Sequence, residues 1–285
     1  PHSAYDGVVG FWYGKGPGVD RSTDAMKHGN FAGTSRLGAV VILSGEDHEA
    51  KSSSVPYQQE WSFEHIGIPV LYPATVAEFI EFGRHAVALS RYSGCWVSLK
   101  LVGPLCDGGQ TVQLRPDSPE LRLPALNVDG QAFRKTTNFR FFPVLNIETE
   151  RTLYYDRHAA VRAYARENKL DRIVVRSDYD RVGIVAAGKT FTDVRQALRD
   201  LGFDEKGLRE SGIRLLKIGL LCPMEPQIVK EFAHGLEEII VVEEKRDFLE
   251  RQIGRILCNP EFRVHMLGKS DRDGRPLFPI HGGMD

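Results

Sequence analysis

The sequence predicts an α/β protein made of two parallel-sheet α/β domains, and three observations predict it. Short apolar runs alternate with segments of helical period along the chain, the pattern that places helices on the faces of a mostly parallel sheet. A middle stretch breaks that alternation. From Gly103 to Glu150 prolines stand at 104, 116, 124 and 143 and glycines at 108, 109 and 130, with no sustained period. Finally, the apolar run Ala39–Leu43 passes directly into the polar loop Gly45–Glu60, and the carboxyl ends of strands are where open α/β sheets bind ligands. The expected division is residues 1–115, a connection over 116–150, and residues 151–285.

Taken in order, Val8–Tyr13 is apolar and aromatic and ends in glycines, which suits a buried strand feeding a tight turn. Asp20 is placed to cap the next helix, whose small face of Ser22, Ala25, Met26, Gly29 and Gly33 suits close packing on a sheet or a partner subunit. Leu37–Ser44 is an apolar strand. The loop beyond it leads through Gln58 and Trp61 into a short helix, followed by a strand at Ile68–Tyr72. Thr75 and Glu78 form a capping box that opens a helix to about Tyr92, with Phe79, Phe82, Ala86 and Leu89 on one face. Cys95–Val102 is the next strand.

Within the connection a strand is expected at Thr111–Leu114 and local order at Phe139–Phe142. Arg151–Asn168 is a helix. Strands follow at Ile173–Val175, Val182–Ala187, Ile213–Leu221 and Ile239–Glu243, with helices at Phe191–Leu201, Pro226–His234 and Phe248–Leu257. This alternation implies a parallel sheet covered on both faces.

Composition narrows the function classes. The chain has 285 residues, 42% hydrophobic and 26% charged, with a net charge of -1 and no long basic run. That removes the simplest electrostatic argument for nucleic acid or an anionic membrane. No apolar run approaches the ~18 residues that a membrane helix needs. Cys95, Cys106, Cys222 and Cys258 form no CxxC pair, so no metal site is expected, and they read as reduced, buried thiols of a cytoplasmic protein. The chain lacks an initiator Met and opens almost on a strand, which suggests a piece of a longer protein.

Gly183, Gly188, Lys189 and Thr190 satisfy G-x-x-x-x-G-K-[ST]. The intervening Ile184–Ala187 look like the strand itself, so the expected reading is a strand ending at Gly188 with Thr190 as N-cap and Asp193 in the first turn. A nucleotide-binding P-loop stays as the alternative, and it requires Gly183–Gly188 to curl around an anion pocket. A non-catalytic structural or interaction domain is the third reading.

Gly14, Gly16 and Gly18 miss G-x-G-x-x-G because Val19 stands at the third glycine; a tight turn and a ligand loop fit the pattern equally. Asp47 and His48 together offer an acid and an imidazole at a strand end. Lys51 with Ser52, Ser53 and Ser54 could donate to an anion or a polar ring, although Ser-rich loops are more often solvated. The run Glu243–Asp247 reads as a capped helix start rather than a metal site. Cys222 has nothing near it in sequence that would lower a thiol pKa.

Gly14–Glu60, together with GIVAAGKTFTDVRQAL, IRLLKIGLLCPMEP and EIIVVEEKRDFLERQI, resembles the indolepyruvate ferredoxin oxidoreductases, within the 2-oxoacid:ferredoxin oxidoreductases. The resemblance covers nearly the whole chain in order. It implies the rear part of a thiamin diphosphate pyrimidine-binding domain over residues 1–115 and a transketolase C-terminal-like domain over 151–285. Such enzymes oxidatively decarboxylate an aryl 2-oxo acid on thiamin diphosphate, transfer the acyl group to coenzyme A and pass electrons through iron–sulfur clusters to ferredoxin.

By the same resemblance, Gly16, Gly18, Val19 and Asp20 lie beside the thiamin pyrimidine. Asp47, His48, Lys51, Ser52 and Ser53 line the 2-oxo acid side, with Lys51 attracting the substrate carboxylate. The family's activating glutamate, its Mg2+-dependent diphosphate holder and its 4Fe-4S cysteines have no counterpart in this sequence. The chain alone is therefore expected neither to bind the cofactor tightly nor to turn over, and to work with the remaining domains or a partner subunit in an oligomer. An apolar patch is expected at the Gly14–Gly18 edge, where the missing domain would sit.

Overall fold

A computed structural model describes residues 7–113, 121–140 and 142–284. The first part of the chain runs β1 (Val9–Lys15), α1 (Gly16–Ala32), β2 (Ala39–Glu46), α2 (Glu60–His65), β3 (Val70–Leu71), α3 (Val76–Ser93) and β4 (Val97–Val102). After α4 (Gly103–Asp107) and a small hairpin of β5 (Asn127–Val128) and β6 (Gln131–Ala132) comes a long helix. It comprises α5 (Pro143–Arg151), a π-helical stretch at Thr152–Arg157, and α6 (His158–Glu167). It therefore begins earlier than residue 151.

The remainder is β7 (Arg172–Val175), β8 (Val182–Ala187), α7 (Gly188–Asp200), α8 (Glu205–Glu210), β9 (Ile213–Ile218), β10 (Leu220–Cys222), α9 (Pro226–Ala233), β11 (Glu238–Val242), α10 (Phe248–Leu257) and β12 (His265–Leu267). Two five-stranded sheets result, in the orders β1-β2-β4-β3-β10 and β12-β11-β8-β9-β7. Both are parallel except at one edge: β10 runs antiparallel to β3, and β7 antiparallel to β9. The α/β class holds, but the second sheet is not purely parallel.

What reads as one strand, Ile213–Leu221, divides at Gly219 and serves both sheets. The amides of Gly219 and Leu220 donate to the buried carboxylate of Asp171 at 2.7 and 2.9 Å. A Cβ at Gly219 would strike the carbonyl oxygen of Leu170, so the crossing is too tight for a side chain. Beside it, Lys217 of β9 pairs with Glu78 of α3. One apolar core, containing Met26, Ile42 and Phe63 as well as Leu216, Phe232 and Phe248, runs through both parts of the chain. Burying such side chains stabilises by roughly 1.5–3 kcal/mol each.

Other expectations change in instructive ways. β1 is an edge strand, not a buried one, and leaves Phe11 61% and Tyr13 81% exposed. The exposed apolar surface lies on that strand rather than at Gly14–Gly18, and Phe11 borders a cavity of about 830 Å³ with Leu43, Phe79 and Leu123. Asp20 does not cap α1, because the helix has already begun at Gly16 with Pro17 in its first turn. The Thr75 hydroxyl accepts from the Glu78 amide at 3.2 Å, while the Glu78 carboxylate reaches one residue further back, to the Ala74 amide.

Thr111–Gln113 form no regular element, and Leu114 lies outside the described residues, as does Phe141; Phe139 and Phe142 are exposed. Cys95 and Cys222 are buried, but Cys106 and Cys258 are exposed. Among the described residues no helix is long and apolar enough to cross a membrane.

Candidate functional site

The carboxyl ends of both sheets meet at one place. β2 ends at Glu46 and β4 at Val102, and opposite them stand Lys189, just after β8, and Glu244, just after β11. A cleft of about 490 Å³ lies between, lined by Lys15, Glu46, Asp47, His48, Lys51, Ser52 and Gly103 from one side and by Lys189 and Glu244 from the other.

The loop after β2 is shaped by Asp47. Its carboxylate accepts from the amides of Lys51 (2.9 Å) and Ser52 (2.8 Å) and from the Ser52 hydroxyl (3.3 Å). Burial works against the charge, but the Ser52 amide and the Ser53 hydroxyl outweigh it and hold the carboxyl below its usual range. Lys15 Nζ donates to the Ser52 carbonyl and, at 3.0 Å, to its hydroxyl. Asp47, Ser52 and Ser53 thus form the loop's own scaffold. Lys51 points outward and pairs with Glu49.

The four residues expected beside a pyrimidine ring stand outside this cleft. A Cβ on Gly16 would meet the Tyr57 ring, and Gly18 lies under Trp12; Val19 is wholly buried in the core and Asp20 is exposed on α1. The glycines do permit close approach, but the protein's own aromatic rings take it up.

The sequence reading missed the buried charges behind the loop. Lys100, the one cation in the apolar strand β4, bonds both carboxylate oxygens of Glu60 at 3.1 Å and lies 5.0 Å from the centre of the Tyr72 ring. His48 is buried with its Nδ1 3.0 Å from Glu244 and its Nε2 3.8 Å from Glu46 Oε2. Among the described residues neither that Nε2 nor that Oε2 has a hydrogen-bond partner, which is unusual for buried polar atoms.

Charge is divided unevenly here. Burial pushes Glu46 up to about 8, Lys100 opposing and Glu60 adding to the rise. Burial also disfavours ionised Glu244, but the His48 hydrogen bond, attraction to a charged His48 and Lys100 together prevail and hold it at about 2. His48 is lowered by burial and by Lys100. With Nδ1 against Glu244, His48 turns its Nε2 towards Glu46, whose buried carboxyl is raised to about 8. Such a row can hold or relay a proton.

Two signals could have exposed this set: a lysine inside VSLKLV, and the run Glu243–Asp247. The run is a capped helix start, since the Glu243 carboxylate accepts from the amides of Leu249 and Glu250 at 2.7 and 3.0 Å. It also clamps the loop after β2, because Lys245, at φ 62, donates to the His48 carbonyl and the Arg246 amide to Gln58. Among the described residues no three His, Cys, Asp or Glu are grouped to hold a metal ion.

The P-loop alternative fails on geometry. Val182–Ala187 is an extended strand between β11 and β9, and a Cβ at Gly188 would meet the Tyr72 ring. Thr190 lies inside the first turn of α7, whose N-cap position is Ala187. Cys222 is buried, and burial raises its thiol pKa, so it is not activated.

Two parallel-dominated sheets joined in this way define an α/β fold shared with a solved 2-oxoacid enzyme. That enzyme is the 2-oxoglutarate:ferredoxin oxidoreductase from Magnetococcus marinus, which matches 94% of this chain and 50% of its own at a TM-score of 0.57 and 17% identity. Residues 171–277 match the indolepyruvate ferredoxin oxidoreductase middle domain. Curated relatives extend the likeness: indolepyruvate oxidoreductase subunit IorA of Methanothermobacter thermautotrophicus is 27% identical over 94% of this chain, and that of Methanothermobacter marburgensis 26% over 94%. The chain is similar to these indolepyruvate oxidoreductase subunits along nearly its whole length, and it spans 41% of the length of those two relatives.

Proposed function

We propose that this chain forms one wall of the thiamin diphosphate site of an indolepyruvate-type 2-oxoacid:ferredoxin oxidoreductase in the cytoplasm, which takes an aryl 2-oxo acid and coenzyme A and gives electrons to ferredoxin. Residues 1–115 act as the rear of the pyrimidine-binding domain, 116–150 as a connection, and 151–285 as the transketolase C-terminal-like domain. The observation that carries this reading is the cleft at the carboxyl ends of both sheets, where Glu46 Oε2 and His48 Nε2 are buried without partners among the described residues. A ring that both donates and accepts hydrogen bonds, as the thiamin aminopyrimidine does, fits that pair.

When bound, thiamin diphosphate supplies the electron sink for decarboxylation. This chain's residues position and exclude water: His48, Glu46 and Glu244 hold a proton at the buried end, and Lys51 at the rim draws in the substrate carboxylate. The metal, the diphosphate holder and the iron–sulfur clusters belong to other domains or a partner subunit, and the chain alone is inactive.

The full-length enzyme, assayed for viologen reduction with coenzyme A, should respond to indolepyruvate. A preference for a small aliphatic 2-oxo acid would overturn the aryl assignment. In the same assay Lys51→Ala should raise the substrate KM about three- to tenfold, since an exposed charge is worth roughly 1 kcal/mol; an unchanged kcat/KM would remove the role given to Lys51.

A further inference from the structure

At the opposite ends of the strands lies a second cavity. Val70 stands opposite Ser98 in the parallel pair β3–β4 and opposite Cys222 in the antiparallel pair β3–β10, so Gly67 and Ile68 mark the amino end of the first sheet. A cavity of about 550 Å³ opens there between α6, the turn after β10 and α10. That volume falls within the range of small-molecule sites.

Its charge is not balanced. Arg162, Arg251 and Arg255 line it against a single carboxylate, Glu64. Arg251 is already paired: its Nη2 donates to both Glu64 oxygens at 2.6 and 2.7 Å, and its guanidinium lies 4.8 Å from the centre of the Trp61 ring. Arg162 is not. Its Nε donates to the Met224 carbonyl at 3.2 Å, and among the described residues its terminal amino groups have no hydrogen bond and no carboxylate within ion-pair range. Glu225, whose charge acts on it, is engaged by Arg166 at 2.6 Å and by the Ile228 amide at 2.8 Å.

Arg255 follows Arg251 by one helical turn of α10 and makes no ion pair among the described residues. His158 contributes no charge at neutral pH, because burial pushes it down to about 4; its Nε2 lies 3.0 Å from the Gly67 carbonyl. Ile68, Pro223, Met224 and Ile256 make the rest of the wall apolar.

We propose that this cavity binds a small organic phosphate, with the phosphate bridging Arg162 and Arg255 and the organic part resting on the apolar wall. Two unanswered guanidinium groups call for a dianion, and their planar forks match phosphate oxygens in pairs. The cavity is larger than inorganic phosphate requires, and its apolar side gives an organic group somewhere to bury. This site is separate from the cleft at the carboxyl ends and stands or falls independently of the function proposed there.

Calorimetric titration of the protein with adenosine 5′-monophosphate, inorganic phosphate and succinate tests it. Submillimolar binding of the nucleotide is expected, weakened at least about tenfold by Arg255→Gln and by Arg162→Gln, the loss of one charge-assisted contact. Arg209→Gln, on α8 and outside the cavity, should leave it unchanged. Arg255 is exposed, so its variant remains readable even where Arg162→Gln lowers the melting temperature. Equal affinity for inorganic phosphate overturns the organic assignment, and succinate binding as tightly overturns the phosphate. Nucleotide binding that survives both substitutions, or no binding of either phosphate at millimolar concentration, overturns the site.

Discussion

Two buried ion pairs, one in each sheet, use the same kinds of residue to opposite ends. In the second sheet Arg214 Nε donates to Asp180 at 2.9 Å, and its Nη1 donates to the carbonyls of Phe232 and His234 at 2.6 and 2.9 Å. Asp180 also accepts from the Ser177 amide and hydroxyl. Burial opposes its charge, but the Ser177 and Arg214 bonds outweigh this and keep the carboxyl below its usual range. In the first sheet Lys100 and Glu60 are equally buried, yet around them Glu46 and His48 keep polar atoms without partners among the described residues. The closed network is structure, and the open one lines the cleft proposed as the site. Satisfaction, rather than charge or burial, separates them.

The largest effect expected is from Arg214→Ala. It strands Asp180 and two carbonyls, and breaking a buried pair from one side costs about 3–5 kcal/mol; denaturant titration at neutral pH would show it as a fall in midpoint. A loss below about 1 kcal/mol would mean that water reaches the pair, and the contrast with the cleft would dissolve.

Lys100→Met should cost somewhat less, about 3 kcal/mol at neutral pH, because the neighbouring carboxylates can take up protons. Lys100 helps hold Glu60 below its ordinary pKa, against burial. Stability from a depressed carboxyl is present above the unfolded value and is lost as pH falls through the folded one. The gap between variant and wild type should therefore narrow on acidification, and a constant gap would show that Lys100 acts through packing alone.

The sequence made the elements legible where one period dominated. α3, α10 and the strands β8 and β11 were placed because local apolar pattern and burial agree. It failed where a single segment serves two partners. Nothing in Ile213–Leu221 shows that the strand changes sheets at Gly219; that depends on Asp171 and Leu170, distant in sequence. The cleft was half legible for the same reason. The polar loop after β2 announces itself, but Lys100 and Glu244 join it only through long-range contacts, and the glycine pattern does not show that the Tyr57 and Trp12 rings lie against Gly16 and Gly18.

The smallest effect, and the most direct reading of the open network, is expected from Glu46→Gln. Burial raises this carboxyl from 4.5 to about 8, so between those values the folded protein retains a proton that the unfolded chain has released. Folding stability contributed by this group therefore falls as pH rises through that window. Glutamine keeps an oxygen for the Gln59 amide, which now donates to Glu46 at 2.8 Å, but cannot ionise. The variant should match wild type near pH 4 and exceed it by about 1–3 kcal/mol near pH 8, each pKa unit being worth about 1.4 kcal/mol. Arg214→Ala should show no such slope over the same window, because Asp180 is ionised in both states. Parallel pH profiles for wild type and Glu46→Gln would mean that Glu46 already has a partner, and the open network would then be as closed as the one around Arg214.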